Sequence, residues 1–201
     1  LVHDNTSMGI QLIGGRAERN RVYDNAKSAG TSGISGYGFV VGNVISGNSI
    51  GVNFQGGIVE DNSIYGNSVE GLQTSYATGE IRRNAIYSNP IGLHVTGGGG
   101  PLTISNNRIY VNADAGIWIS QGTANRIASN TVYQPAGDAL RIDGGSNLVV
   151  ASNILWADAG ARVLPLWRGK ALLDTAATAH DLPRLLLLTP ARSQGCFGIQ
   201  D

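Results

Sequence analysis

The chain has 201 residues, with 14 Lys+Arg against 14 Asp+Glu and a formal net charge of zero. That length supports one domain with a continuous core, and the charge balance excludes the basic footprint of a nucleic-acid binder and the like-charge block of an interaction tail. The single cysteine, Cys196, excludes an intramolecular disulfide, and three scattered histidines (His3, His94, His180) with no CxxC motif provide no ligand set for zinc, so neither metal nor cofactor is expected.

No apolar run approaches the ~20 residues of a membrane span, so membrane insertion is not expected. The chain opens at Leu1, and Leu1–Asn5 (LVHDN) matches the RVYDN that follows Asn20. It therefore reads as a piece of a longer protein, entered just inside a repeat, with flanking domains of that protein as neighbours. Gly is abundant at 29 residues, and Asn is frequent up to Asn153. Both tolerate left-handed backbone, so many tight turns are expected.

An internal repeat organises everything up to that point. Its leading Asn recurs at Asn20, Asn43, Asn62, Asn84, Asn107, Asn130 and Asn153, at intervals of 23, 19, 22, 23, 23 and 23 residues. Three residues before it stand Ala17, Val40, Val59, Ile81, Ile104, Ile127 and Val150. Two after it stand Val22, Ile45, Ile64, Ile86, Ile109, Val132 and Leu155. A Gly-apolar pair follows, from Gly9-Ile10 through Gly116-Ile117, becoming Ala139-Leu140 in the last coil. The apolar residues alternate over short runs, which is strand periodicity. Each run is too short to bury a core alone and buries one by stacking on its neighbours. The pattern predicts an all-β, single-stranded parallel β-helix of about seven coils, three short strands to a coil, spaced by roughly 4.8 Å. The Asn column is expected to turn the chain in left-handed conformation and to form a ladder of amide hydrogen bonds between coils.

Two turns depart from the template. Residues 26–32 (AKSAGTS) are expected to protrude as a loop, and Gly97 to Gly100 with Pro101 form a second long turn. The repeats are assigned to residues 1–160, and residues 161–201 to an irregular C-terminal segment. There Lys170 to Leu182 could form a short helix ended by Pro183, capping the open end of the stack. The abrupt change of composition equally permits a non-native, out-of-frame tail.

The N-x-[IV]-Y-x-N and G-[IL]-x-[IV] segments resemble the right-handed parallel β-helix repeats of the pectate lyase-like superfamily, over Leu1 to Ala159. That superfamily includes pectate lyases, polygalacturonases, alginate epimerases and large surface proteins. The resemblance implies a right-handed coil, an extracellular or cell-surface location and polysaccharide as a partner. It does not carry the enzymes' motifs. The Asn-Thr-Asp, Asp-Asp and Gly-His-Gly of polygalacturonases are absent, and Arg141-Ile142-Asp143 has Asp where their Arg-Ile-Lys has Lys. Tyr37-Gly38-Phe39 is followed by Val40-Val41 where the epimerase signature has Asp-Pro.

Side chains alternate across a strand, so if Ile117 and Ile119 point inward, Trp118 and Ser120 point outward. The outward column then reads Gln11, Ser35, Asn53, Gln73, His94, Trp118, Arg141, and the next reads Ile13, Tyr37, Gln55, Ser75, Thr96, Ser120, Asp143. Trp118 with His94, Arg141, Ser120 and Asp143 is the candidate glycan-binding patch: an indole face stacks on a sugar ring while polar neighbours bond its hydroxyls. A second outward column, Tyr23, Ser46, Tyr65, Tyr87, Tyr110, Tyr133 and Trp156, reads as an aromatic ladder. Glu60 with Arg82, and Asp61 with Arg83, read as ion pairs between coils. Asp114, Asp138 and Asp143 are the only carboxylates placed to meet as a glycosidase pair, and His94 alone does not assemble a serine triad. The expectation is a non-catalytic scaffold, adhesion or carbohydrate-binding module; a fragment of a polysaccharide lyase, hydrolase or epimerase is the alternative.

Overall fold

The computed structural model describes residues 1–25, 28 and 30–158, and the backbone of two further strands, Ala171–Leu173 and Leu185–Leu187. Among these residues the chain winds as a parallel β-solenoid of about seven coils, with no helix. The short strands after each leading Asn form one nine-stranded sheet. It runs Val2–His3, Arg21–Tyr23, Val44–Ser46, Ser63–Tyr65, Ala85–Tyr87, Arg108–Tyr110, Thr131–Gln134 and Ile154–Ala157. All of these pair in parallel, and Leu185–Leu187 closes the sheet antiparallel on Ile154–Ala157.

The other faces belong to a second, branched sheet of twelve strands. In the first three coils one long strand covers both faces: Ile10–Glu18, Ser32–Val41 and Ile50–Glu60. From the fourth coil on a turn divides it, as in Ile91–Thr96 and Leu102–Ser105, or Ala115–Ile119 and Arg126–Ala128. Three separate strands per coil, as the repeat predicts, therefore hold only from the fourth coil. The earlier coils bend without breaking because glycine stands at the bend. A Cβ on Gly57 would lie 2.1 Å from the carbonyl oxygen of Gly38, and Gly57 has a φ of 107°, so only glycine lets adjacent backbones fold that sharply.

The core is the set of apolar columns read from the repeat. Val22, Ile45, Ile64, Ile86, Ile109, Val132 and Leu155 are fully buried and face one another in register. Ile34, Val52, Leu72, Leu93, Ile117 and Leu140 form a second in-register column, and Val40, Val59, Ile81, Ile104, Ile127 and Val150 a third. Each such side chain contributes on the order of 1.5–3 kcal/mol of transfer free energy.

The leading asparagines form the expected ladder, with every rung doubly bonded. Asn107 Oδ1 accepts from Asn84 N and Nδ2, each at 3.0 Å. Asn107 N and Nδ2 in turn donate to Asn130 Oδ1 at 3.0 and 2.9 Å, and Nδ2 also reaches Ile81 O at 2.9 Å. The same pattern links Asn20 to Asn43, Asn43 to Asn62, Asn62 to Asn84, and Asn130 to Asn153.

One part of the expectation is corrected. The ladder asparagines are not the left-handed residues; the residue before each one is. Arg19, Gly42, Asp61, Arg83, Asn106, Ser129 and Ser152 all have positive φ. The turn is made one position earlier, which leaves the Asn free to aim its amide along the stack.

A second ladder was not anticipated. Asn5, Asn25, Asn48, Asn67, Asn89 and Asn112 stack at another corner by the same double bonds and end at Gln134, whose Oε1 accepts from Asn112 N at 2.8 Å. It explains the glycine of the Gly-apolar pair. A Cβ at Gly51, Gly71 or Gly92 would come within 2.9 Å of the amide nitrogen of Asn67, Asn89 or Asn112. Ala139 replaces glycine only in the coil whose successor has Ala157 in place of a ladder amide.

Ala171–Leu173 pairs in parallel with Leu148–Ala151, so these three residues of the expected helix are strand; the rest of that segment lies outside the described residues. The expected loop at 26–32 is described only in part, with Thr31 N and Oγ1 donating to Ser28 O. The turn from Gly97 to Pro101 is present and packs against Tyr76.

Two stability measurements test these corners. Asn107→Ala leaves the buried Asn84 backbone N–H without its acceptor, while Asn84 Nδ2 keeps Val59 O and Arg82 O; urea denaturation is expected to show a loss on the order of 2 kcal/mol, against roughly 1 kcal/mol for Asn20→Ala at the end of the ladder. Val111 is a β-branched residue held at φ 55° before Asn112, where other coils use Asp24, Gly47 or Gly66. Val111→Asn is expected to stabilise by about 1 kcal/mol, raising Tm by roughly 2–4 °C.

Candidate functional site: the His94–Trp118–Arg141 column

The outward column Gln11, Ser35, Asn53, Gln73, His94, Trp118, Arg141 is in register at every step. Parallel in-register pairing stacks planar side chains on one another. His94 lies flat on Trp118, with centroids 4.0 Å apart and planes 2° from parallel. The Arg141 guanidinium lies 5.4 Å from the Trp118 centroid, within cation–π range. His94 and Arg141 belong to the coils on either side, so both faces of the indole are flanked and its edge remains. Trp118 Nε1 donates to Asp143 Oδ2 at 2.7 Å.

His94 is buried, and both of its ring nitrogens are engaged. Nδ1 lies 2.7 Å from Glu70 Oε1 and Nε2 lies 2.9 Å from Ser120 Oγ. The Ser120 hydroxyl is also 3.1 Å from Val95 O. The structure thus brings His94, Ser120, Trp118, Arg141 and Asp143 together, and it adds Glu70. The sequence reading missed Glu70 because it lies one coil back and three residues before the column position. One signal could have found it: Glu70 stands in register with Ile50 and Ile91, so it is an acid at a buried position.

The other acids surround Arg141. Its Nε donates to Asp138 Oδ2 at 2.7 Å, and its two terminal nitrogens donate to Asp114 at 3.0 and 2.8 Å. Asp114, first, and then Asp138 raise the guanidinium pKa, against the effect of burial. Of the three aspartates read as candidates for a glycosidase pair, Asp114 and Asp138 meet at the Arg141 guanidinium, while Asp143 accepts from the Trp118 indole N–H. A glycosidase pair needs two carboxyls facing a substrate across a groove, whereas these side chains are engaged by Arg141 and by the Trp118 indole N–H. Among the described residues no group of three His, Cys, Asp or Glu is placed to hold a metal ion.

The second expected outward column is interrupted. A bulge between Gly36 and Tyr37 pairs Tyr37 with Gly56 rather than Gln55. The aromatic ladder is in register throughout. Tyr65, Tyr87 and Tyr110 stack at 4.9 Å, while Tyr133 meets Trp156 edge-on at 6.0 Å. Tyr37 and Tyr76 are exposed at the bend of the branched sheet.

The expected ion pairs are also present. Arg82 Nε donates to Glu60 at 2.8 Å, and Arg83 donates to Glu60 at 2.7 Å and to Asp61 at 2.9 Å. Arg82 also contacts Glu80. The Arg82 hydrogen bond chiefly holds the Glu60 carboxyl below its ordinary range, and the Arg83 hydrogen bond does the same for Asp61. A carboxyl with a lowered folded-state pKa stabilises above its unfolded value and loses that contribution as pH falls through the folded one. Arg83→Gln is therefore expected to lower the urea midpoint only slightly at neutral pH, because Arg83 and Asp61 both stand in solvent. Urea titrations should show the difference from the parent shrinking in acid and in high salt.

No curated protein and no solved structure matches the chain. A family model described as the right handed beta helix region matches residues 40–164, well over half of the sequence. The matched stretch holds most of the parallel coils, in-register apolar columns and amide ladders described above, and the chain belongs to the right-handed beta-helix family.

Proposed function

We propose that this β-helix is a scaffold and carbohydrate-binding module of a secreted or cell-surface protein, and that it does not cleave glycosidic bonds. The observation that carries the reading is a pair of exposed rings. Tyr37 and Tyr76 are 48 % and 71 % exposed, and neither ring has a stacking partner among the described residues. Both occupy the bend of the branched sheet, two coils apart, which is roughly 10 Å along the axis at ~4.8 Å per coil. Gly56 stands in register with Tyr37 on the next coil, so no side chain rises on that side of the ring. An extended polysaccharide could lie along this corner and stack a sugar on each ring.

The Trp118 patch has a different part in this reading. With His94 and Arg141 on its two faces, the indole offers an edge, and Ser120 and Asp143 offer hydroxyl and carboxylate at the rim of the same sheet. The alternative, a polysaccharide-cleaving fragment, draws on Asp114, Asp138 and Asp143. Against it, two of these bond Arg141 and the third bonds Trp118 Nε1.

Affinity electrophoresis in gels containing neutral or uronate polysaccharides is the direct test. Retardation of the parent is expected, with at least tenfold weaker binding for Tyr37→Ala/Tyr76→Ala and a smaller loss for Trp118→Ala. No retardation on any polymer sinks the binding proposal, and release of reducing or unsaturated ends from those polymers overturns its non-cleaving part.

A further inference from the structure

Glu70, His94 and Ser120 lie on three successive coils and are joined in a single line of hydrogen bonds. Glu70 Oε1 meets His94 Nδ1 at 2.7 Å, and His94 Nε2 meets Ser120 Oγ at 2.9 Å. A line with a purely structural purpose would recur from coil to coil, as the amide ladders do. Among the described residues this one occurs once. The registers of His94 hold Gln73 and Trp118 in the adjacent coils, and those of Glu70 hold Ile50 and Ile91.

Glu70 is also expensive to bury. It is only 5 % exposed, and its Oε2 has no hydrogen-bond partner among the described residues. A carboxylate left half-satisfied in the interior destabilises a fold. What it achieves is an imidazole held in one orientation, with Nδ1 toward the acid and Nε2 toward a hydroxyl at the surface. That is the relation of acid, base and nucleophile in acyl transfer. We propose that Ser120 is an activated nucleophile toward acyl esters, with His94 as its general base and Glu70 as the positioning residue.

In the reactive state neutral His94 carries its proton on Nδ1, donated to Glu70, and Nε2 accepts the Ser120 hydroxyl. As Oγ bonds to the ester carbonyl carbon, the hydroxyl proton passes to Nε2. The imidazolium returns that proton to the departing alkoxide as the ester C–O bond breaks, and an alcohol leaves. Water then attacks the acyl carbon as His94 takes its proton; His94 passes that proton to Ser120 Oγ as the acyl C–O bond breaks, the carboxylic acid departs and the serine hydroxyl is restored. The N–H groups of Ser120 and Gln121 both donate to Val95 O, at 3.1 and 3.3 Å. Neither is free to receive an oxyanion, so the reaction suits activated aryl esters and not amides.

The same geometry supplies an off state. When Nε2 is protonated it donates to Oγ, and the hydroxyl turns to Val95 O, 3.1 Å away. The groups facing His94 are Glu70 on the preceding coil and Trp118 and Ser120 on the following one, with Asp143 and Arg141 beyond the indole. Reactivity is expected to rise with pH, because a general base acts only in its unprotonated form.

The test uses the full chain with a fluorophosphonate probe and with p-nitrophenyl acetate. A single adduct mapped to Ser120 by mass spectrometry is expected, with labelling and hydrolysis rising together with pH. Ser120→Ala should abolish the adduct and lower hydrolysis at least 100-fold toward the rate in buffer, with unchanged circular dichroism. Glu70→Gln, checked for folding in the same way, should lower the labelling rate at least tenfold and displace its pH profile. Absence of a Ser120 adduct, equal hydrolysis by Ser120→Ala, or a pH-independent labelling rate overturns the proposal. None of these outcomes bears on the polysaccharide gels, because Tyr37 and Tyr76 take no part in the relay.

Discussion

The structure depends on an amide that is bonded on both sides within its own column. A corner of a β-solenoid is a place where the chain leaves one sheet before joining the next, so its backbone groups have no strand partner. Buried, each would destabilise the fold by roughly 1–3 kcal/mol. Asparagine resolves this with one short side chain. Its oxygen accepts the backbone and amide N–H groups of the coil before, and its nitrogen donates onward and to a nearby carbonyl. Two corners are closed in this way, and the core columns lie between them.

Both ladders impose conditions on their neighbours. The residue before each Asn must turn left-handed, which Gly, Asp and Asn do at little strain and Val111 does not. The residue facing the second ladder must lack a Cβ, which accounts for Gly33, Gly51, Gly71 and Gly92. Where the second ladder stops, at Gln134, the glycine requirement stops as well and Ala139 appears. The repeat consensus is thus a record of steric consequences that follow from one hydrogen-bonding device.

Outside the core the same parallel register produces chemistry as a by-product. Any planar side chain placed at an outward position lands on its counterpart one coil away. Repeated tyrosine gives a continuous stack, and unlike residues give His94 on Trp118 beneath Arg141. The scaffold itself is indifferent to what stands in these positions. A relay such as Glu70–His94–Ser120 can therefore be written onto three coils without disturbing the ladders, and the Tyr37 and Tyr76 rings can be added at the bend in the same way.

The sequence by itself determined the coil, its period, the identity of the core columns, the leading Asn ladder and the register of the outward column. All of these follow from which residues recur at one spacing, because in-register stacking converts recurrence directly into contact. Only the tertiary structure decided how the corners are turned, where a bulge sets Tyr37 opposite Gly56, and that the first three coils keep one unbroken strand across two faces. It also decided the partners in the site. Glu70 reaches His94 diagonally across coils, and His94 and Arg141 flank the indole that the sequence offered as a stacking face. Such contacts depend on side-chain direction and on local departures from the repeat, and those belong to no single column.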